Sequence, residues 1–268
     1  MAEIRVNGVS LYYEEHGAGE PIVCIHGTGS SAAFWADAAE ELGTRGRTIV
    51  YDRRGCFRSE RPEPYATTVR QQTDDAAALI DALGAAPAIV NGRSYGGAIA
   101  LDLALRYPDR VRALVLLEPA DIGLPLTEPA ARWLAEIEDH VLAAAATDMS
   151  SVAETLMRGV LGDGAWEGFP EPAKQMFSGN GSAIVAEFRG GALDVSAEQL
   201  GTIAHPTLLV AAEGSPSAFA ELTTMIAAAM PSARLERIEG GHAIDPAHPV
   251  VLAFVDEVLA LKEEPSIA

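Results

Sequence analysis

The chain contains 268 residues, a length typical of one large domain with or without an inserted subdomain. Apolar residues make up 49% and charged residues 21%, a balance that excludes a disordered chain. The 38 acidic residues outnumber the 19 basic ones, which gives a formal net charge of −19. Such a surface repels phosphate backbones and anionic membranes, so we expect neither nucleic acid nor a membrane as a partner.

Cysteine content and hydropathy bear on where the protein works. Cys24 and Cys56 are too few for a disulfide framework or a zinc site of their own, and we expect no metal. The first eight residues lack the basic segment and apolar run of a secretory signal. No uncharged apolar stretch approaches the ~20 residues that span a bilayer. These features predict a soluble, cytoplasmic protein.

Strands and helices alternate through the first 120 residues. Residues 4–15 read as two short strands, because Asn7-Gly8 is a strong signal for a two-residue hairpin turn. Short apolar runs typical of buried parallel strands follow, separated by amphipathic segments. The predicted strands are 21–27, 48–52, 88–92 and 112–118, and the predicted helices are 31–42, 67–83 and 95–107.

The alternation breaks between residues 121 and 201, where the sequence is helical and too long for a loop. It resumes with predicted strands at 207–212 and 234–239 and predicted helices at 217–229 and 249–262. We therefore predict an α/β fold, a mostly parallel eight-stranded sheet with helices on both faces. Residues 1–120 and 202–268 would form the core, and residues 121–201 a helical cap over the carboxyl ends of the strands.

A glycine-flanked serine follows the predicted strand 88–92 and opens the next helix. Gly92-Arg93-Ser94-Tyr95-Gly96 is a G-x-S-x-G sequence in a strand-turn-helix context. The glycines leave room for a sharp turn, and the helix N-terminus favours developing negative charge at Ser94. We predict that Ser94 is a nucleophile.

Two further stretches supply what a serine nucleophile needs. A tetrahedral intermediate requires two backbone N–H donors, which Tyr95 and Thr28 of the loop at 26–29 would provide. His242 follows two glycines after the last predicted strand and lies in the chain order serine, acid, histidine. The same loop also has an alternative interpretation. Gly27-x-Gly29-x-x-Ala32, with Asp52 closing the next strand, matches the dinucleotide fingerprint of NAD(P)-dependent oxidoreductases.

These stretches together resemble the α/β-hydrolase superfamily, in its esterase-like and lactonase-like branch with a helical cap. The resemblance implies a nucleophile–histidine mechanism, but the family's usual acid position after strand 207–212 holds Ser215 here. Some members carry the acid after the preceding strand, which implies Glu118, with Glu213 in reserve and Asp121 third. Arg93 stands where the family often has a histidine.

We accordingly expect a serine esterase or lactonase in which Ser94, His242 and Glu118 act through an acyl-enzyme without a cofactor. The expected partner is a small hydrophobic ester or lactone, held by aromatic residues of the cap: Trp133, Trp166, Phe169 and Phe188. Carbon–carbon bond hydrolysis or cofactor-free oxygenation on the same residues remains open, as does a non-catalytic ligand receptor.

Overall fold

The computed structural model describes residues 2–261, which form one eight-stranded sheet flanked by helices. The strands are β1 (Ala2–Val6), β2 (Val9–His16), β3 (Pro21–Ile25), β4 (Arg47–Tyr51), β5 (Ala88–Arg93), β6 (Val111–Leu117), β7 (Thr207–Ala212) and β8 (Ala233–Ile238). Their order is β1-β2-β4-β3-β5-β6-β7-β8. Only β2 runs against its two neighbours, so the predicted eight-stranded, mostly parallel sheet is confirmed.

Helices cover both faces of this sheet because its central strands are apolar on both sides. The helices before β6 are α1 (Ala36–Gly43), α2 (Val69–Ala82) and α3 (Tyr95–Arg106). Those after it are α4 (Glu128–Thr147), α5 (Val152–Leu161), α6 (Asp163–Gly168), α7 (Glu171–Gly179), α8 (Gly181–Gly190), α9 (Ala197–Leu200), α10 (Ser217–Ala229) and α11 (Pro249–Ala260). Helices α2, α3 and α10 pack against one face of the sheet, and α1 and α11 against the other.

Most predicted boundaries agree with the structure to within one or two residues, but one helix begins differently. The segment predicted as a helix at 31–42 starts as a 3-10 turn at Ala32–Trp35 and becomes α-helical only at Ala36. A long-range contact sets this start, because the N–H of Ala32 donates to Asp52 Oδ1 at 2.7 Å. The hairpin turn is as predicted, with positive φ at both Asn7 and Gly8. The predicted end of the last helix at 262 lies outside the described residues.

Helices α4–α8, residues 128–190, form a helical insertion between β6 and β7 with an apolar core of its own. An isolated β-bridge between Ile122 and Leu193 pairs the segment before the insertion with the segment after it. Leu193, Val195 and Leu200, which fall inside the predicted cap, pack instead into the core beneath the sheet. Within residues 2–261, no helix has the length and hydropathy needed to cross a bilayer.

Candidate active site

Ser94 occupies the sharp turn between β5 and α3. Its backbone has φ 54° and ψ −122°, a combination that non-glycine residues rarely adopt and that is typical of a nucleophile elbow. The flanking glycines are required by close packing: a Cβ on Gly92 would lie 2.4 Å from the carbonyl oxygen of Gly96. One on Gly96 would lie 2.1 Å from that of Ile25. The strained turn is therefore fixed by backbone contacts on both sides of Ser94.

Glu118 lies immediately after β6, fully buried, and its carboxylate is held by three donors. Oε1 accepts from the N–H of Ala212 at 2.8 Å, and Oε2 accepts from Ser215 Oγ at 2.7 Å. His242 Nδ1 lies 2.8 Å from the same Oε2. Glu118 thus orients the imidazole, in the manner the resemblance implied for it.

The reserve candidate for the acid points elsewhere. Glu213 follows β7 and is exposed, and its side chain makes no contact with His242 among residues 2–261. Ser215, at the position where the family usually places its acid, hydrogen-bonds to Glu118 instead. A hydroxyl that donates to the carboxylate stabilises its charged form.

The environment of His242 favours the neutral imidazole, the form that accepts a proton. Burial lowers its pKa, and the nearby Arg93 guanidinium lowers it further, while Glu118 acts in the opposite direction. The Phe219 ring stacks on the imidazole with centroids 3.8 Å apart and planes at 12°. The orientation of the imidazole is therefore fixed by the Phe219 ring against its face and by the Glu118 carboxylate at its Nδ1 edge.

Ser94 and His242 line the same cavity, on which the prediction of a shared site depends. The Ser94 hydroxyl forms no hydrogen bond within the part of the chain that the structure describes. Ser94 Oγ and His242 Nε2 are therefore not hydrogen-bonded to each other in this structure. Such contacts are often long in free enzymes and tighten when substrate binds.

The loop after β3 lies against the nucleophile. A Cβ on Gly27 would lie 3.1 Å from Ser94 Cβ, and Thr28 lines the cavity beside it. No acceptor among residues 2–261 takes the backbone N–H of Thr28 or of Tyr95. Both groups are therefore free to donate, and their role as oxyanion donors stays a prediction. The Tyr95 side chain is fully buried, and its ring centroid lies 4.8 Å from the guanidinium carbon of Arg53.

Residues that the sequence reasoning missed hold this loop from behind. Asn180, fully buried at the start of α8, donates through Nδ2 to the carbonyl oxygens of Gly29 at 2.8 Å and Ser30 at 3.1 Å. Arg53 donates to the carbonyl oxygens of His26 and Gly27 at 3.0 Å each. Glu187 of α8 forms a buried ion pair with Arg53 at 2.8 Å. The helical insertion and the loop after β3 are thus linked by polar contacts.

The cavity has a volume of about 330 Å³ and is mostly apolar. Trp133 and Phe188, two of the four predicted cap aromatics, line it. Trp166 and Phe169 do not; they pack edge-to-face with each other and against Phe177 inside the insertion. The remaining apolar lining comes mainly from the insertion and α10: Leu134, Ile137, Leu156, Met157, Val160, Leu161, Phe177, Phe219 and Leu222.

Three other residues with ionisable side chains line the cavity beside His242: Arg93, Asp121 and Glu138. Burial and the carboxylates of Glu187 and Glu138 raise the pKa of Asp121 to about 7. Asp121, the third candidate for the acid, is thus close to half protonated at neutral pH. It forms no hydrogen bond or ion pair with His242 among residues 2–261.

The alternative dinucleotide site lacks the free carboxylate it needs. Asp52 Oδ1 accepts from Ala32 N, and Oδ2 accepts from Arg58 Nε at 2.7 Å. The carboxylate is fully buried and joins β4 to the loop at 26–32, which leaves it inaccessible to a ribose hydroxyl. Asp52 therefore has a structural role, which is to hold this loop against the end of β4.

Comparisons with known proteins agree with the fold. A sequence model described as the alpha/beta hydrolase fold matches residues 20–245. A protein of Azorhizobium caulinodans named carbamate hydrolase RutD is 31% identical over 262 residues, 92% of this chain and 96% of that protein. A 2-hydroxy-6-oxo-2,4-heptadienoate hydrolase of Pseudomonas putida is 28% identical over 219 residues, 77% of this chain and 76% of that protein.

A solved structure supports the same fold. It is that of Est816, described as an N-acyl homoserine lactone degrading enzyme, with a TM-score of 0.75 and 24% identity. The superposition covers 97% of this chain and 100% of that chain. At this identity the likeness is one of fold.

Proposed function

Since this chain belongs to the α/β-hydrolase family, we propose that it is a serine hydrolase that cleaves a small hydrophobic carboxylic ester or lactone. The observation that carries the proposal is the contact of His242 Nδ1 with Glu118 Oε2 at 2.8 Å, beside a strained Ser94 in the same cavity. A buried neutral imidazole with an oriented far nitrogen is the general base that a serine hydroxyl requires.

In the proposed reaction His242 Nε2 takes the proton of the Ser94 hydroxyl as Oγ attacks the substrate carbonyl. The tetrahedral oxyanion accepts hydrogen bonds from the N–H groups of Thr28 and Tyr95. His242 then gives its proton to the departing alkoxide, which leaves as the alcohol. The acyl group stays on Ser94 Oγ as an acyl-enzyme. Water, deprotonated by the same His242, attacks the acyl carbonyl. The bond to Ser94 Oγ then breaks, Oγ takes back the proton from His242, and the carboxylic acid leaves.

The helical insertion serves in this proposal as the cap that selects the substrate. Its side chains supply much of the apolar lining, which favours an aliphatic or aromatic ester over a sugar or a phosphate. A lactone of this kind would remain attached to Ser94 as a hydroxyacyl-enzyme until water releases it as one product.

The test uses Ser94→Ala, with p-nitrophenyl butyrate as substrate. We expect loss of turnover with a thermal transition close to that of the unchanged protein, because the hydroxyl makes no hydrogen bond that stabilises the described fold. A fluorophosphonate probe should label the unchanged protein at Ser94, located by peptide mapping, and should not label the variant. Persisting turnover or labelling at another residue would remove the mechanism.

Carbon–carbon bond hydrolysis is the second candidate, favoured by the similarity to the heptadienoate hydrolase of Pseudomonas putida. The two activities differ in the bond broken, so parallel assays separate them. Turnover of a 2-hydroxy-6-oxo-2,4-dienoate, with no turnover across a panel of esters and lactones, would replace the ester proposal by this one.

A further inference from the structure

Arg93 stands next to the proposed nucleophile, lines the cavity, and has most of its hydrogen-bonding capacity unused. Its one hydrogen bond to a described residue is long, from Nη1 to the carbonyl oxygen of Ile244 at 3.4 Å. A guanidinium has five N–H donors in a planar arrangement that matches a carboxylate. Nε and Nη2 have no protein acceptor among residues 2–261, and neither is sealed from solvent.

No carboxylate of the described residues neutralises this cation. Asp245 is close enough to favour the charged guanidinium but does not reach the 4.0 Å of an ion pair, and its Oδ1 accepts from the N–H of Ala247. Asp121 and Glu138 line the same cavity, but neither forms an ion pair or a hydrogen bond with Arg93 among the described residues.

The site is also partly desolvated. Burial lowers the pKa of Arg93 to about 10, which still leaves the guanidinium charged at neutral pH. The Trp35 ring lies 5.8 Å from the guanidinium carbon and shields one side of it. A charged donor in such surroundings binds an anion more strongly than the same group in water does.

Resting on the function proposed above, we infer that Arg93 binds a carboxylate of the substrate, so that the protein acts on an anionic ester or lactone. The rest of the cavity would hold the hydrocarbon portion, and the negative charge of the whole protein would be overcome locally by Arg93. The neighbouring imidazole of His242 is kept neutral by burial, which lowers its pKa, so it adds no competing site for the anion.

Three short-chain esters that differ in one terminal group test this inference. Ethyl butyrate is neutral; monoethyl succinate carries a carboxylate in place of the acyl methyl group, and O-butyrylglycolate carries one in place of the ethyl methyl group. We expect the unchanged protein to have a higher kcat/KM for at least one anionic ester than for ethyl butyrate, measured by pH-stat titration. A lower kcat/KM for both anionic esters would overturn the inference and needs no variant.

Variants then assign the preference to Arg93. Arg93→Gln should lower the ratio of anionic to neutral kcat/KM about tenfold or more, as loss of a charge-assisted hydrogen bond predicts, and Arg93→Lys should retain part of it. The matched control is Arg237→Gln, which removes the same charge from an exposed arginine outside the cavity. An unchanged ratio in Arg93→Gln, or an equal fall in Arg237→Gln, would refute the assignment.

Failure of the proposed function has a different signature. If the unchanged protein hydrolyses none of the three esters, serine-ester chemistry is excluded for these substrates. The affinity of each ester for Ser94→Ala is then measured by calorimetry. Monoethyl succinate or O-butyrylglycolate should then bind more tightly than ethyl butyrate, and the double variant Ser94→Ala with Arg93→Gln should lose that difference. Equal binding of all three esters would overturn the inference independently.

Discussion

Glu118→Gln is the most direct test of the arrangement behind the proposed base. The carboxylate accepts three hydrogen bonds, whereas the amide of glutamine has one accepting oxygen and one donating nitrogen. The N–H of Ala212 is a fixed backbone donor, so the amide oxygen must face it, and the amide nitrogen then faces His242. Nδ1 must then accept rather than donate, which puts the imidazole proton on Nε2, opposite Ser94.

That tautomer cannot take the proton of the Ser94 hydroxyl, and the charge that stabilises the imidazolium is gone as well. Together these losses reduce kcat about 10⁴-fold, or about 5 kcal/mol of transition-state stabilisation. The assay is kcat and KM for p-nitrophenyl butyrate at pH 7.5, with the thermal transition measured in parallel. Because Ala212 keeps its acceptor, we expect a change in Tm of only a few degrees.

Two companions make the result interpretable. Glu213→Gln removes an exposed carboxylate from the adjacent strand end and should leave kcat within twofold. Adding Ser215→Asp to Glu118→Gln places a carboxylate where the Ser215 hydroxyl now lies, 2.7 Å from the oxygen that contacts His242, and should recover at least about tenfold of the lost rate. Retention of more than a tenth of the activity in Glu118→Gln, or a comparable loss in Glu213→Gln, would refute this account of the acid.

Two further substitutions probe the surroundings of the site. Asn180→Ala removes the amide that holds Gly29 and Ser30, and it leaves the N–H of Phe57 without its acceptor. We expect about tenfold lower kcat, little change in KM and about 1–3 kcal/mol lower stability. Weaker inhibition by a boronic acid, which mimics the tetrahedral intermediate, would separate loop positioning from a purely structural effect; unchanged inhibition and kcat would contradict it. Asp121→Asn should raise Tm over the unchanged protein by an amount that grows as pH rises from about 4 to 7, because the folded carboxyl, with its pKa near 7 against an ordinary 3.8, holds a proton that the unfolded chain has lost. A Tm difference that does not vary with pH would show that Asp121 does not titrate in this way.

The parts of the site that lie at the ends of strands were predictable from the sequence. Ser94 follows an apolar strand and lies between Gly92 and Gly96, and His242 follows the last strand and two glycines; these signals are local in the chain. Glu118 required one more step, since the carboxyl ends of adjacent parallel strands lie at one edge of the sheet. The structure places the Glu118 carboxylate and the His242 imidazole in contact there.

The side chains of the helical insertion were not predictable in the same way. Its helices bury one face in the insertion's own core and another against the cavity, so an aromatic residue has two apolar destinations that periodicity does not distinguish. Trp133 faces the cavity and Trp166 the core, although both read as equivalent in the sequence. Asn180 and Glu187 were missed because their partners lie more than 100 residues away, although a glutamate within the apolar Ala-Ile-Val-Ala-Glu-Phe run was a usable signal.

The contact of Glu118 with His242 shows that a carboxylate can reach the imidazole from a strand other than the one that usually carries the family's acid. Strands β6 and β7 are adjacent and parallel, with Leu117 opposite Val210, so their ends lie about 4.8 Å apart. Glutamate has one more methylene than aspartate, and that length helps a residue after β6 reach the imidazole from one strand farther away. Ser215 stands at the position where the family usually has its acid, and its hydroxyl donates to the Glu118 carboxylate. This hydrogen bond helps to hold Glu118 in place. A serine at the usual acid position is therefore compatible with a carboxylate that orients His242, provided that the neighbouring strand is followed by a glutamate.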